Sequence, residues 1–293
     1  MIGIDWGTTS FRAFRLDAAG AVQAQRAAPR GILAIEGGQF EEELLRQVGD
    51  WIAEGEDHIL MSGMIGSRQG WQEAPYVACP AGAADLAASL VAVPCTGATV
   101  RLVPGLSHRD AGGTPEVMRG EETQIVGVLD DAAGAAIACL PGSHSKWARI
   151  EGGRIAGFET YFSGEAFAAL RGHTILGRLM RDGPADPAAF DRGLARAGEG
   201  GHLLHHLFGV RTLGLFGRLA EEAAPSYLSG LLIGHEVRAA LPPGGAAVHL
   251  IGARTLCDLY ARAIAAAGSQ ATVHGEDAAA RGLARLGKDA SWT

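Results

Sequence analysis

Hydrophobic and polar positions alternate along the first sixteen residues, and this pattern predicts two short strands joined by a tight turn. The first strand ends near Asp5 and the second begins near Phe11. The turn between them, called turn 1 (residues 7–10), contains small residues with three hydroxyl groups: Gly7, Thr8, Thr9 and Ser10. Backbone N–H groups and hydroxyls beside a carboxylate suit the phosphates of a magnesium nucleotide. An ordinary hairpin is the alternative interpretation, because short motifs recur by accident.

The positions that follow predict a third strand, a helix and a fourth strand. Residues 21–27 alternate as a strand, residues 40–53 carry apolar side chains on one helical face, and residues 58–62 form a buried strand. The order strand, strand, strand, helix, strand is that of a ribonuclease-H-like unit. We therefore expect such a unit at the start of the chain.

A glycine-rich loop follows the buried strand at residues 62–76 and contains Arg68, Trp71, Glu73 and Tyr76. An arginine can bind a carboxylate through two parallel hydrogen bonds, and aromatic rings can form the wall of a pocket. The alternative is a surface loop whose aromatic residues cover the core. The residues alone leave both interpretations open.

A second polar segment, residues 106–115, is predicted to be a loop and contains Arg109. It leads to Gly120, Glu121 and Glu122 at the predicted start of a helix. The alternative interpretation is that a carboxylate at that position only complements the helix dipole.

The second half of the chain repeats the opening plan. Residues 135–140 form a continuous apolar strand, and a second turn follows, called turn 2 (residues 141–144), with Lys146 on the next strand. Turn 2 contains Gly142, Ser143 and His144. Two copies of strand, phosphate-type turn and strand are more informative than either copy alone.

Helices and strands alternate over the rest of the chain. His202, His205 and His206 lack acidic or cysteine partners at ligand spacing, so we interpret them as residues on a helix surface rather than metal ligands. Residues 248–253 are predicted to form a strand that ends at Gly252.

Composition narrows the class of protein. The 293 residues, 47% of them hydrophobic, fit a globular protein of about two domains. The net charge of -7 argues against a nucleic-acid partner, because no basic stripe can displace counterions. No apolar run approaches the roughly 20 residues needed to cross a bilayer, so no membrane partner is expected. The four separated cysteines argue against a zinc site or a disulfide framework, and the first residues resemble a core strand rather than a leader. We expect a soluble cytoplasmic protein.

In their order along the chain, the motifs resemble the sugar-kinase, heat-shock-70 and actin superfamily of ATPases, and more narrowly the 2-dehydro-3-deoxygalactonokinase family. The resemblance covers nearly the whole chain and rests on residues 3–10, 62–76, 118–124, 140–147 and 158–165. It implies an α/β fold of two ribonuclease-H-like domains with an ATP cleft between them.

The implied domains are residues 1–135, with the sugar-acid site and the catalytic glutamate, and residues 136–293, with the adenosine site. The last helix, residues 276–286, would pack back across the cleft. ATP and Mg²⁺ are the implied cofactors, with Asp5 as the metal ligand. The implied nucleotide-binding residues are Gly7, Thr8, Thr9, Ser10, Gly142, Ser143, His144, Lys146, Gly252 and Ala253. Many relatives have Gly-Gly where this chain has Gly252-Ala253, which leaves the adenine contacts open.

The implied reaction transfers the γ-phosphoryl group of ATP to the 6-hydroxyl of 2-dehydro-3-deoxy-D-galactonate. Related kinases have Gly-Asp-Gln where this chain has Gly120-Glu121-Glu122, so Glu121 is the expected catalytic base, preferred to Glu122 by position only. Arg68 is the first choice for the substrate carboxylate and Arg109 the second. The full set of expected substrate-binding residues is Arg68, Trp71, Tyr76, Arg109 and Glu122.

Two alternatives stay open. One is a kinase of another sugar or sugar acid on the same fold, and the other is a nucleotide switch of the actin-like or heat-shock-like kind. The sequence does not decide between epimers of the sugar acid. It also leaves the oligomeric state open, a homodimer being one alternative.

Overall fold

A computed structural model describes residues 1–131 and 134–292 of the chain. Its strands are β1 (Ile2–Trp6), β2 (Phe11–Leu16), β3 (Val22–Ala28), β4 (His58–Ser62), β5 (Tyr76–Ala78), β6 (Val91–Val93), β7 (Thr99–Leu102), β8 (Gly105–Arg109), β9 (Pro115–Met118), β10 (Ala136–Leu140), β11 (Ser145–Glu151), β12 (Arg154–Tyr161), β13 (Ala247–Ile251) and β14 (Gln270–His274). Its helices are α1 (Phe40–Ala53), α2 (Ala83–Ala88), α3 (Glu121–Val126), α4 (Ser163–His173), α5 (Pro187–Ala197), α6 (Leu203–Leu215), α7 (Ala224–Ala240), α8 (Arg254–Ala266) and α9 (Ala278–Lys288).

The first large sheet has the strand order β3-β2-β1-β4-β7-β6, with β1 antiparallel to β2 and parallel to β4. Alternate residues of β1 face opposite sides of this sheet. Ile2 and Ile4 are fully buried in a cluster that includes Leu44 of α1. On the other side, a Cβ added to Gly3 would lie 3.1 Å from Leu283 of α9. The glycine therefore lets α9 approach β1 closely.

The second large sheet has the order β12-β11-β10-β13-β14, with β10 parallel to β13. The first sheet has the matching order β3-β2-β1-β4-β7, in which β10 corresponds to β1 and β13 to β4. The two sheets therefore share one topology. Its core includes Phe190 of α5, Val237 of α7 and Tyr260 of α8. The predicted α/β class with two ribonuclease-H-like sheets is confirmed.

The chain forms two compact units. Unit 1 comprises Met1–Ala135, Ala148–Phe158 and His274–Thr293, and unit 2 comprises Ala136–Trp147 and Glu159–Val273. α9 therefore belongs to unit 1, where it packs against β1, β2, β4, α2 and α3. The functional division predicted from the sequence, which assigns the sugar acid to one half and adenosine to the other, stays a prediction.

The prediction of a loop at residues 106–115 was wrong. Its two ends are strands, β8 and β9, which pair antiparallel in a small sheet with β5. Asp110 closes the hairpin, because its side chain accepts the N–H of Thr114 at 2.8 Å. Only Leu106 and Met118 of this pairing are deeply buried, so polar side chains dominate both strands and resemble a loop in the sequence.

The interpretation of the three histidines as surface residues was wrong for His206. Its side chain is 0% exposed, and its Nδ1 lies 3.0 Å from Nε2 of His235 on α7. A hydrogen-bonding partner on a distant helix makes this burial tolerable. His202 and His205 are exposed, as expected.

In the part of the chain that the structure describes, no helix combines the length and the apolar character needed to cross a membrane. The same residues contain no group of three His, Cys, Asp or Glu side chains arranged to hold a metal ion. The cysteines at positions 79, 95, 139 and 257 are free thiols.

Candidate active site

Turn 1 has a braced backbone and exposed hydroxyls. Gly7 donates its N–H to the carbonyl of Ser10 at 2.9 Å. Gly31 packs against the turn so closely that a Cβ there would lie 2.3 Å from the nitrogen of Thr9. The residues Thr8, Thr9 and Ser10 are nevertheless exposed. The turn therefore presents three hydroxyl groups on a backbone that is held from behind.

Asp5, at the end region of β1, lies between a cation and a glycine. Its carboxylate forms an ion pair with Arg12, its register partner on β2, and its side chain is 12% exposed. On the neighbouring strand end, Gly63 has φ of +98°, and a Cβ there would lie 2.8 Å from the carbonyl oxygen of Trp6 and 3.3 Å from Oδ1 of Asp5. Glycine suits this position because any other residue would clash with the Trp6 backbone and strain its own.

The start of α3 reaches the same place. Gly120, which precedes α3, has φ of +106°, and a Cβ there would lie 3.1 Å from Cα of Gly63. Glu121 is the first residue of α3 and is partly buried, and its carboxylate accepts the backbone N–H of Arg119 at 3.0 Å. The structure thus brings Asp5, Gly63 and the Gly120-Glu121 pair together within unit 1.

Glu122 points into the core. It is 0% exposed, and its two carboxyl oxygens lie 2.9 and 2.7 Å from the nitrogen of Gly120. The hydroxyl of Thr123 donates to the same carboxyl group at 3.1 Å. Burial, reinforced by the charge of Glu121, raises the pKa of Glu122 to about 8. Of the two neighbouring glutamates, only Glu121 has solvent access.

The predicted substrate loop, residues 62–76, carries its charged and aromatic side chains at different depths. The side chain of Arg68 is 86% exposed, and its Nε lies 3.5 Å from the carboxylate of Glu73. Trp71 packs against the hydrophobic core, whereas Tyr76 is 43% exposed. The loop therefore combines an accessible guanidinium with an exposed aromatic ring.

Arg119 is a buried cation that sequence reasoning did not single out. It is only 8% exposed, its Nη2 donates to the carbonyl of Ala74 at 2.7 Å, and its guanidinium lies over the ring of Tyr76 at 4.4 Å. A Cβ at Gly66 would lie 3.1 Å from its Nη1. Because Arg119 directly precedes Gly120, these contacts fasten the loop beside the start of α3. The place of Arg119 directly before Gly120 was the one signal available in the sequence.

Arg109, the second choice for the substrate carboxylate, is the last residue of β8 and is exposed. Its Nη1 donates to the carbonyl of Gly113 at 3.0 Å, within its own hairpin. This contact directs the guanidinium toward the hairpin turn.

Turn 2 connects β10 to β11 and rests on the first residues of α4. The N–H of Glu165 donates to the carbonyl of Ser143 at 3.0 Å, and a Cβ at Gly164 would lie 2.3 Å from the carbonyl oxygen of Gly142. Nε2 of His144 lies 2.6 Å from the Glu165 carboxylate. Ser143 and His144 are exposed, so this turn too is braced from one side and open on the other.

Three further predicted nucleotide-binding positions lie near turn 2 in unit 2. Lys146 is 7% exposed, and its Nζ donates to the hydroxyl of Thr160 at 2.9 Å. Gly252 directly follows β13, the parallel neighbour of β10, and a Cβ there would lie 3.7 Å from the carbonyl oxygen of Pro141. Ala253 follows and precedes α8. Because the carboxyl ends of parallel strands share one sheet edge, turn 2 and the Gly252-Ala253 turn adjoin.

Comparison with known proteins gives a consistent result. The family model described as 2-keto-3-deoxy-galactonokinase matches residues 5–286. A Rhizobium meliloti protein provisionally named a 2-dehydro-3-deoxygalactonokinase is 36% identical over 99% of this chain and 96% of its own length. The 2-dehydro-3-deoxygalactonokinase of Escherichia coli is 33% identical over 95% of this chain and 94% of its own length.

A solved structure supports the same assignment. It is the crystal structure of a Sinorhizobium meliloti protein, also provisionally named a 2-dehydro-3-deoxygalactonokinase, and it is 34% identical to this chain. It covers 98% of this chain and 95% of its own chain, with a TM-score of 0.86.

Proposed function

The chain belongs to the 2-keto-3-deoxy-galactonokinase family and is a sugar-acid kinase, and on this premise we propose that it transfers the γ-phosphoryl group of ATP to the 6-hydroxyl of 2-dehydro-3-deoxy-D-galactonate. The product would be 2-dehydro-3-deoxy-6-phosphogalactonate, formed in galactonate breakdown. We assign the enzyme to the cytoplasm, where its donor ATP is maintained.

The two turns are the proposed phosphate-binding elements. The exposed hydroxyls of turn 1 and the Gly142-Ser143-His144 backbone of turn 2 offer donors on braced chains, which suits an anion that must be held in one position. Gly252 and Ala253, beside turn 2, are the proposed adenosine contacts, and Lys146 is the proposed neutralising charge.

Asp5 is the proposed ligand of a magnesium ion carried by the nucleotide. Mg²⁺ takes most of its ligands from phosphates and water and needs only one or two carboxylates from the protein, so the single carboxylate of Asp5 suits it. When bound, the ion would neutralise charge on the phosphates. The ion pair with Arg12 holds the Asp5 carboxylate at the end of β1.

Glu121 is the proposed catalytic base. Its carboxylate would accept the proton of the 6-hydroxyl while the substrate oxygen forms a bond to the γ-phosphorus and the bond to the ADP oxygen breaks. The observation that carries this proposal is the position of Glu121: it starts α3 beside the Gly120–Gly63 contact and the Asp5 strand end, and it has solvent access that the adjacent Glu122 lacks.

Arg68 is the proposed partner of the substrate carboxylate, with Arg109 as the second candidate. Arg68 belongs to the loop that Arg119 fastens beside Gly120, and its guanidinium is accessible. Trp71 and Tyr76 would form the wall of the sugar-acid site, and Glu122 would support it from within the core.

Substitution of Glu121 tests the proposal. Glu121→Gln keeps the size of the side chain but removes the proton acceptor, so we expect phosphoryl transfer to fall at least about a hundredfold while ATP binding stays near the wild-type level. Glu199→Gln, which neutralises an exposed carboxylate outside both turns and the substrate loop, is the matched control. Wild-type turnover by Glu121→Gln would remove Glu121 from the role of base.

Nucleotide turnover separates the proposed kinase from its alternatives. A kinase releases ADP only when a sugar acid is present, whereas a nucleotide switch hydrolyses ATP slowly without one. Coupled ADP-release measurements across a panel of 2-keto-3-deoxy acids would also distinguish the galactonate derivative from its epimers. Sedimentation of the purified protein tests the homodimer.

A further inference from the structure

A carboxyl group that takes no part in the proposed chemistry lies buried at the centre of unit 2. Glu236 of α7 is 3% exposed. Its Oε1 accepts the indole N–H of Trp147 at 2.7 Å, and its Oε2 accepts the hydroxyl of Tyr260 at 2.9 Å. The Tyr260 oxygen lies a further 2.8 Å from the hydroxyl of Ser145, and Ser163 also bonds to Glu236.

The partners of Glu236 all come from segments that border the proposed nucleotide turns. Ser145 is the first residue of β11, directly after turn 2, and Trp147 lies two residues farther along the same strand. Ser163 is the first residue of α4, the helix on which turn 2 rests. Tyr260 lies on α8, which starts directly after Gly252 and Ala253. One carboxyl group therefore joins the three segments that hold both turns of unit 2.

The direction of the hydrogen bonds follows from the chemistry. Tyr260 donates its single proton to Glu236, so its oxygen accepts from Ser145. Burial raises the pKa of Glu236, and the bonds from Ser163, Trp147 and Tyr260 oppose that rise. The chain of donors from Ser145 through Tyr260 ends at the carboxyl group. An apolar residue at position 236 would leave buried donors without an acceptor.

Strand geometry links this network to Lys146. Successive side chains of a strand point to opposite sides. Ser145 and Trp147 are buried on the side that faces Tyr260 and Glu236, so Lys146 between them points the other way, where it contacts Thr160. Holding residues 145 and 147 therefore also sets the direction of Lys146.

We propose that Glu236 is a positioning residue for nucleotide binding: through Ser145, Trp147, Ser163 and Tyr260 it holds turn 2 and Lys146 in the arrangement that receives the phosphates of ATP. This inference rests on the proposed function, because it takes turn 2 as a phosphate site. Glu236 itself touches neither substrate.

Three variants test the role. Tyr260→Phe removes one hydroxyl and with it the hydrogen bonds of Tyr260 to Ser145 and to Glu236, while the ring keeps its packing. Glu236→Gln keeps the volume but replaces one accepting carboxylate oxygen with an amide N–H, which donates instead of accepting. Tyr227→Phe is the matched control, since Tyr227 is a tyrosine of unit 2 that is 4% exposed in a separate hydrophobic cluster.

The measurements are the dissociation constant of ATP without sugar acid, by titration calorimetry, and the KM values of both substrates. We expect Tyr260→Phe and Glu236→Gln to weaken ATP binding roughly three- to tenfold, as the loss of a buried hydrogen bond implies, and to leave the KM of the sugar acid near wild type. Tyr227→Phe should bind ATP as the wild type does.

Wild-type ATP binding by both network variants would overturn the proposal, even if their melting temperatures fell, because Glu236 would then only stabilise the core. A rise in the KM of the sugar acid as large as the loss of ATP affinity would also overturn the proposal. If the wild-type protein bound ATP but phosphorylated no 2-keto-3-deoxy acid, the proposed substrate would be wrong, and the comparison of ATP affinities would still decide the role of Glu236.

Discussion

Glu121 and Glu122 are adjacent and chemically alike, yet the fold gives them different properties. Glu121 retains solvent access at the first position of α3, whereas Glu122 is enclosed by the core and its pKa is raised to about 8 by burial. At neutral pH the carboxyl of Glu122 therefore keeps its proton. A glutamate in that form is a structural group rather than a proton acceptor, which strengthens the choice of Glu121 as the base.

The raised pKa of Glu122 predicts a stability that depends on pH. The folded value of about 8 lies above the ordinary value of 4.5, so folding takes up a proton between these values. The stabilisation is complete below pH 4.5 and is lost as the pH rises through about 8. In urea unfolding at about pH 6 and about pH 9, the wild type should lose more stability than Glu122→Gln, whose amide does not titrate. Equal losses would contradict the assigned shift.

Arg119 and Arg68 should affect the sugar acid in different ways. Arg119→Lys removes the planar group that both bonds to Ala74 and covers Tyr76, so the loop between them should loosen. We expect the KM of the sugar acid to rise about tenfold with that of ATP unchanged. A rise in the KM of ATP for Arg119→Lys would refute the loop explanation.

Arg68→Ala should raise the KM of the sugar acid without changing thermal stability, because the side chain of Arg68 is exposed.

Among the helices, α3 and α9 of unit 1 approach each other closely through glycine. A Cβ at Gly282 would lie 1.9 Å from the carbonyl oxygen of Thr123, and one at Gly127 would lie 2.0 Å from that of Ala278. Since α3 starts at Glu121, the packing of α9 contributes to the position of the proposed base.

Substitution of Gly282 tests this packing. Gly282→Ala should destabilise the protein by about 1–3 kcal/mol, because the added methyl group must push α9 away from α3. Gly172→Ala is the control: this glycine also lies in a helix, but a Cβ there would meet nothing within 4 Å, so the change should stabilise by about 0.5–1 kcal/mol. Thermal unfolding measures both, and a neutral Gly282→Ala would contradict the close approach.

Elements with strong periodic patterns could be predicted from the sequence. The pattern of residues 40–53 coincides with α1, and that of residues 58–62 with β4, because each buries a regular set of apolar side chains. β8 and β9 could not be predicted, because their sheet buries little and few of their side chains show a period. The paired turns were visible because each follows a strand of mostly apolar residues.

At the scale of the whole molecule, the parts of the site that escaped prediction depend on contacts between distant positions. Arg119 meets Ala74, and Glu236 meets Trp147 and Tyr260, across separations that no local pattern encodes. The burial of His206 likewise depends on His235, on another helix. Motifs could indicate the residues that are proposed to carry the chemistry, but not the buried groups that contact them.

The position of α9 has a consequence for synthesis on the ribosome. Unit 1 begins with the first residue, yet it needs His274–Thr293, whereas unit 2 is finished at Val273. The nascent chain therefore emerges with the face of β1 at Gly3 uncovered, and Leu283 reaches that face only after unit 2 has been synthesised. During that interval the exposed sheet is a binding site for a chaperone. A chain truncated before α9 would contain all of unit 2 but an incomplete unit 1, which we expect proteases to cleave.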